Sequence, residues 1–143
     1  MEFAQIRDRV DISSKAAGAI NTSDLIGTWI NSNPNTSGIA RIVISGSDGN
    51  LSLRAYAVGP EALIDWGSVD INVFAATPVS EVGAGFTCLY DFGFAEARLQ
   101  GMIMKGLLVL AQLQTFKDDS GRVDYFVREY FAIVHEPAKQ AEA

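Results

Sequence analysis

A chain of 143 residues has the length of one domain, and at that length a single core needs neither disulfides nor a structural metal to hold it. With 48% hydrophobic residues, 20% charged residues, 13 Gly and 4 Pro, the composition excludes disordered, collagen-like and coiled-coil chains. The 11 basic residues are scattered among 17 acidic ones, for a net charge of −6, which argues against nucleic acid and anionic membrane as partners.

Near the start, Phe3, Ile6 and Val10 fall at helical spacing with charged residues between them, which predicts a short amphipathic helix. Small and polar residues follow, so residues 1–24 read as a helix and a connector. Acidic residues and the lack of a continuous apolar stretch make this segment neither a secretory signal nor a membrane span, and the expected location is cytoplasmic. The longest mostly apolar run, Gly106–Leu113, is only eight residues, too short for a bilayer.

From Leu25 the period changes to two, and turn signals recur about every 8–12 residues, as in an all-β sandwich or barrel. Eight strands are predicted: Leu25–Asn31, Gly38–Ser45, Asn50–Val58, Trp66–Ala75, Gly85–Phe92, Ala95–Met104, Leu107–Phe116 and Arg122–Val134. Between them lie Gly, Pro, Asn and Asp, including Asn33-Pro34-Asn35, Gly59-Pro60, Lys105-Gly106 and Asp118-Asp119-Ser120-Gly121, which supply the backbone angles of tight reversals. No connector is long enough for a helical crossover, so the strands should be antiparallel neighbours in a meander. The barrel is expected to fill residues 25–135, with residues 136–143 as a disordered tail.

Two strands are apolar on both faces. Gly38–Ser45 carries Ala40, Ile42 and Ile44 on one side and Ile39, Arg41 and Val43 on the other. Leu107–Phe116 carries Leu107, Val109, Ala111 and Leu113 opposite Leu108, Leu110, Gln112, Gln114 and Phe116. Such strands need two covers, which predicts a homo-oligomer, with the N-terminal helix as the alternative cover.

The opening Leu25-Ile26-Gly27-Thr28-Trp29-Ile30-Asn31, placed at the head of eight meandering strands, resembles the Gly-x-Trp entry of the calycin superfamily, the lipocalin and avidin barrels. The resemblance implies an eight-stranded up-and-down barrel in which Trp29 plugs the closed end. It also implies an arginine over that ring, with Arg128 as first candidate and Arg122 as second. Similarity to avidins extends through a Ser/Gly/Asp hairpin into Asn50-Leu51-Ser52-Leu53, and implies that the loop after the first strand helps hold a ligand, through Asn31 and Asn35. Only two tryptophans, Trp29 and Trp66, are present, so the tryptophan walls of a biotin site have no counterpart.

A closed eight-stranded barrel has room for side chains or one small ligand, and a period of two leaves each strand's inward face undecided. Gln112, Gln114 and Glu129 are among the polar residues that could face either way. Glu96 and Arg98 lie with Gln100 on one face of a strand: outward they are a solvated face, inward they mark a polar site that must pair its charges. Tyr90 and Tyr56 read as wall residues or as proton donors. Asp65 and Trp66 read either as a turn and its packing partner or as a hydrogen-bonding acceptor and an aromatic wall at the ligand mouth. With Phe74, Phe86 and Phe92 they supply an aromatic, ligand-binding lining.

One cysteine, Cys88, and one histidine, His135, allow no disulfide, no His-rich metal site and no nucleophile–base pair. Neither metal nor cofactor is expected, and Asp118–Gly121 reads as a hairpin turn rather than a calcium loop. Two functions follow. The first is a non-enzymatic carrier of a small apolar molecule within the barrel. The alternative is a cofactor-independent cyclase or isomerase acting on a natural-product intermediate, as some calycin-like barrels do, with Tyr90, Glu96, Arg98 and Tyr56 as the polar set.

Overall fold

A computed structural model of the protein describes residues 20–47 and 50–135. Nine strands follow one another: β1 (Gly27–Asn31), β2 (Ile39–Ser47), β3 (Asn50–Ala57), β4 (Ile64–Asp70), β5 (Asn72–Ala75), β6 (Gly83–Asp91), β7 (Ala95–Met104), β8 (Leu107–Phe116) and β9 (Tyr125–Ile133). They form one antiparallel sheet in the order β4-β3-β2-β1-β9-β8-β7-β6-β5. The two ends of that sheet, β4 and β5, are consecutive in the chain and separated by Ile71 alone. The sheet therefore returns on itself as a nearly closed up-and-down barrel.

Nine strands rather than eight arise because the predicted strand Trp66–Ala75 changes partner midway. Its first part pairs with β3 as far as Asp70, and from Asn72 onward it pairs with β6. At the changeover the Ile71 N–H still donates to the Leu51 carbonyl at 3.1 Å. Elsewhere local chemistry sets the boundaries directly. Lys105 and Gly106, with φ of 55° and 80°, make the two-residue reversal whose twist suits a hairpin, and β7 and β8 pair from Met104↔Leu107 onward. No helix occurs among the described residues, and the N-terminal helix, most of the connector and the tail lie outside them.

The two-faced strands resolve differently. In β2 the register with β3 shifts between Ile39 and Arg41, and this bulge brings Ile39 to the inner face with Ile42 and Ile44. In β8 the inner face is Leu108, Leu110, Gln112 and Gln114, all buried, whereas Leu107, Val109, Ala111 and Leu113 face outward.

Side chains occupy the interior. Trp29, Ile42, Ile44, Leu53, Phe86, Leu99, Leu108 and Phe131 are buried in one cluster. Each large apolar side chain fully buried contributes about 1.5–3 kcal/mol. The Trp29 indole N–H donates to the Leu25 carbonyl at 3.0 Å. The expected arginine over Trp29 is not found: Arg128 falls on the outer face of β9, one residue out of phase with inward-facing Glu129 and Phe131. Arg122 instead lies 4.4 Å from the Phe116 ring centre.

Gly101 lets the Phe86 ring lie against the β7 backbone, since a Cβ there would run into the ring edge. Gly101→Ala is therefore expected to destabilise the barrel by about 1–3 kcal/mol. Urea denaturation should show a lower midpoint with an unchanged slope.

Candidate functional site

Three aromatic residues singled out in the sequence meet at the seam of the barrel. Opposite Ala55 of β3, β4 carries one extra residue, because Arg54 pairs with Ser68 and Tyr56 with Asp65. Gly67 supplies the positive φ of 83° that this bulge requires. The bulge leaves backbone groups without ladder partners, and Tyr90 reaches across from β6 to take them. Its hydroxyl accepts from the Ala55 N–H at 3.1 Å and donates to the Gly67 carbonyl at 2.6 Å, with the Leu53 carbonyl 3.2 Å away. Trp66 packs edge-on against Tyr90 and Phe92, at 5.2 and 5.0 Å between ring centres. Burial pushes the Tyr90 hydroxyl up to about 12, so it is a neutral structural group at physiological pH.

The other members of the proposed polar set point away from Tyr90. Tyr56 lies on the outer face of β3, with the Arg41 guanidinium 4.3 Å and that of Arg54 5.9 Å from its ring centre. Arg54 donates through Nε to both Asp65 oxygens, at 3.0 and 3.1 Å, and through Nη2 to Oδ2. That hydrogen bond, with a second from the Gly67 N–H, holds the Asp65 carboxyl below its ordinary range. Asp65 is thus committed to an exposed ion pair. Glu96 and Arg98 also face outward on β7, where Glu96 accepts from Lys117 at 3.2 Å. Tyr90, Tyr56, Glu96 and Arg98 do not converge on one site.

A polar network caps the interior where β1 ends against the middle of β9. Asn31, buried, donates to the Ile39 carbonyl at 2.9 Å and to Glu129 Oε1 at 2.8 Å, and accepts from the Asn33 N–H. Thr36 donates to the same carboxylate, at 2.9 Å to Oε2. Asn35 is exposed in the loop, its N–H on Asn33 Oδ1. Gln112 donates to Gln114 at 2.8 Å, and both are buried. These side chains bond one another and the loop backbone, so Asn31 fixes the β1–β2 loop in place.

An open groove lies on the outer face of β5–β9. A groove of about 420 Å³ is lined by Phe74, Met102, Met104, Val109 and Ala111, with Thr87, Gln100 and Arg128 as its polar members. Strand register sorts these residues into rows. One row runs Phe74–Gly85–Met102–Val109–Tyr130 and is apolar except for the tyrosine hydroxyl. The neighbouring row runs Asn72–Thr87–Gln100–Ala111–Arg128 and is polar except for Ala111. Phe74 thus sits at the groove's edge, while Phe86 points into the core. Sequence reading missed Met102, Met104, Val109 and Arg128 as a site; the signal was the apolar set Leu107, Val109, Ala111 and Leu113.

No protein-family model matches the chain, and no curated protein matches it.

Two buried weak acids sit within the barrel wall. Burial pushes the Cys88 thiol from 9.0 to about 12 and Tyr90 from 10.0 to about 12. Both stay neutral in the folded chain at pH values where the unfolded chain ionises, so they favour folding below about pH 9 and that contribution fades from pH 9 towards 12. Urea midpoints should fall over this window. Tyr90→Phe, which strands the Ala55 N–H and Gly67 carbonyl, should cost about 1–3 kcal/mol at pH 7. A variant as stable as the parent would show that the hydroxyl does not hold the seam.

Proposed function

We propose that the protein is a binding barrel for a small, mostly apolar molecule, and that this molecule lies in the groove on the outer face of β5–β9 rather than within the barrel. The groove itself carries the reading. Its volume of about 420 Å³ falls in the range of small-molecule sites, roughly 300–1,000 Å³, and its lining is mostly apolar with a few placed polar groups. Inside the barrel, Trp29, Phe86, Leu99, Leu108 and Phe131 are buried together in one apolar cluster. A calycin-like kinship is consistent with the up-and-down barrel and its Gly27-x-Trp29 entry. Holding a molecule is favoured over cyclising one, since Tyr90, Glu96, Arg98 and Tyr56 are spread over both faces of the sheet.

Calorimetric titration with 1-decanol, an uncharged single-tailed molecule, tests this. Saturable binding of one molecule per chain is expected. Ala111→Trp, which fills the groove from an outward-facing position, should weaken it at least about tenfold while leaving stability within about 0.5 kcal/mol. Unsaturable uptake, or equal affinity in the variant, would overturn the reading.

A further inference from the structure

The register that forms the groove also sets its polarity, and the polarity specifies one end of the ligand. Among the lining side chains Arg128 is the one charged group, and none is acidic. Arg128 makes no salt bridge with any of the described residues. It stands at the end of the row Thr87–Gln100–Ala111–Arg128, directly beside the apolar row of Phe74, Met102 and Val109. In a chain of net charge −6 this groove is a local exception. Its strongest polar member is a planar guanidinium, a donor with no acceptor capacity.

We infer that the groove takes a free anionic amphiphile, a molecule with one apolar tail and a carboxylate head, whose head pairs with Arg128 while its tail lies along Phe74, Met102, Met104 and Val109. The inference rests on the groove being the binding site and adds the chemical class of the ligand. A carboxylate matches the guanidinium fork in two parallel hydrogen bonds, and the Gln100 amide lies in the same polar row. The volume of about 420 Å³ corresponds to roughly fourteen water-sized groups at about 30 Å³ each, which suits a tail of roughly ten carbons.

Two other occupants fit less well. A second copy presents on this face the same two guanidiniums, Arg98 and Arg128, and a Glu96 already paired with Lys117. A bilayer offers a broad surface to a concave groove, and an anionic one would repel the chain's net charge.

The test compares decanoate with 1-decanol by calorimetry at pH 7.5, where the carboxyl is ionised, at concentrations below micelle formation. Decanoate is expected to bind at least about tenfold tighter than decanol. Arg128→Gln should bring decanoate down to the level of decanol and leave decanol unchanged. Arg122→Gln, which removes an equal charge from the β8–β9 loop, should alter neither. Equal affinities for the two probes, or decanoate binding untouched in Arg128→Gln, would overturn the inference while leaving an apolar groove in place. If neither probe bound, the site itself would be wrong. Association with anionic phospholipid vesicles without binding of free decanoate would overturn the inference in favour of a membrane surface.

Discussion

The Tyr90 hydroxyl bonds to the β3–β4 bulge, and closure of the barrel depends on that contact. Because the chain switches partner at Ile71, β5 covers β6 only as far as Thr87, and the stretch from Cys88 to Asp91 has no strand on that side. Tyr90 spans the opening and hydrogen-bonds to the bulge on the far edge. Trp66 and Phe92 pack on its ring and fill the space beside it. A gap that would leave backbone groups unpaired is thereby closed with side-chain volume, and buried polar groups are satisfied as folding requires.

That closure has a consequence for function. Tyr90, Trp66 and Phe92, which could have walled an internal ligand site, pack on one another at the seam, and Trp29, Phe86, Leu99 and Phe131 are buried in the core cluster. On the outer face of β5–β9 a groove forms, because Gly85 and Ala111 are small where Phe74, Met102 and Met104 are large. Pairing register then places an apolar row beside a polar one that ends in a guanidinium. On the outer wall of the barrel a concave shape and a defined polarity thus coincide.

Much of the fold was legible in the sequence. The bounds of β7 and β8 follow from alternation bracketed by Lys105-Gly106, and the meander follows from connectors too short for crossovers. What escaped was the facing of strands. A period of two states that two faces differ without stating which one turns inward. In β8 the buried pair Gln112 and Gln114 satisfies itself in part by bonding side chain to side chain, so the inner face is the more polar one near the rim, against the usual expectation. In β2 a bulge shifts the phase between Ile39 and Arg41, which alternation cannot register. The parity that turns Arg128 outward removes it from Trp29 and delivers it to the groove. The change of partner at Ile71 was invisible because residues on either side of it keep an extended, alternating pattern.

The proposed binding of an apolar molecule in the groove can be tested through the methionines. The chain has three, and besides Met1 they are Met102 and Met104, both exposed and both in the groove. With the methionine methyl carbons isotopically labelled, titration with decanoate should move the Met102 and Met104 methyl resonances together, to saturation at one molecule per chain. It should also give magnetisation transfer from the tail to both methyls. Saturable binding that leaves both signals in place, with transfer to the interior Leu99 or Leu108 methyls instead, would put the ligand inside the barrel and contradict an outer-face site.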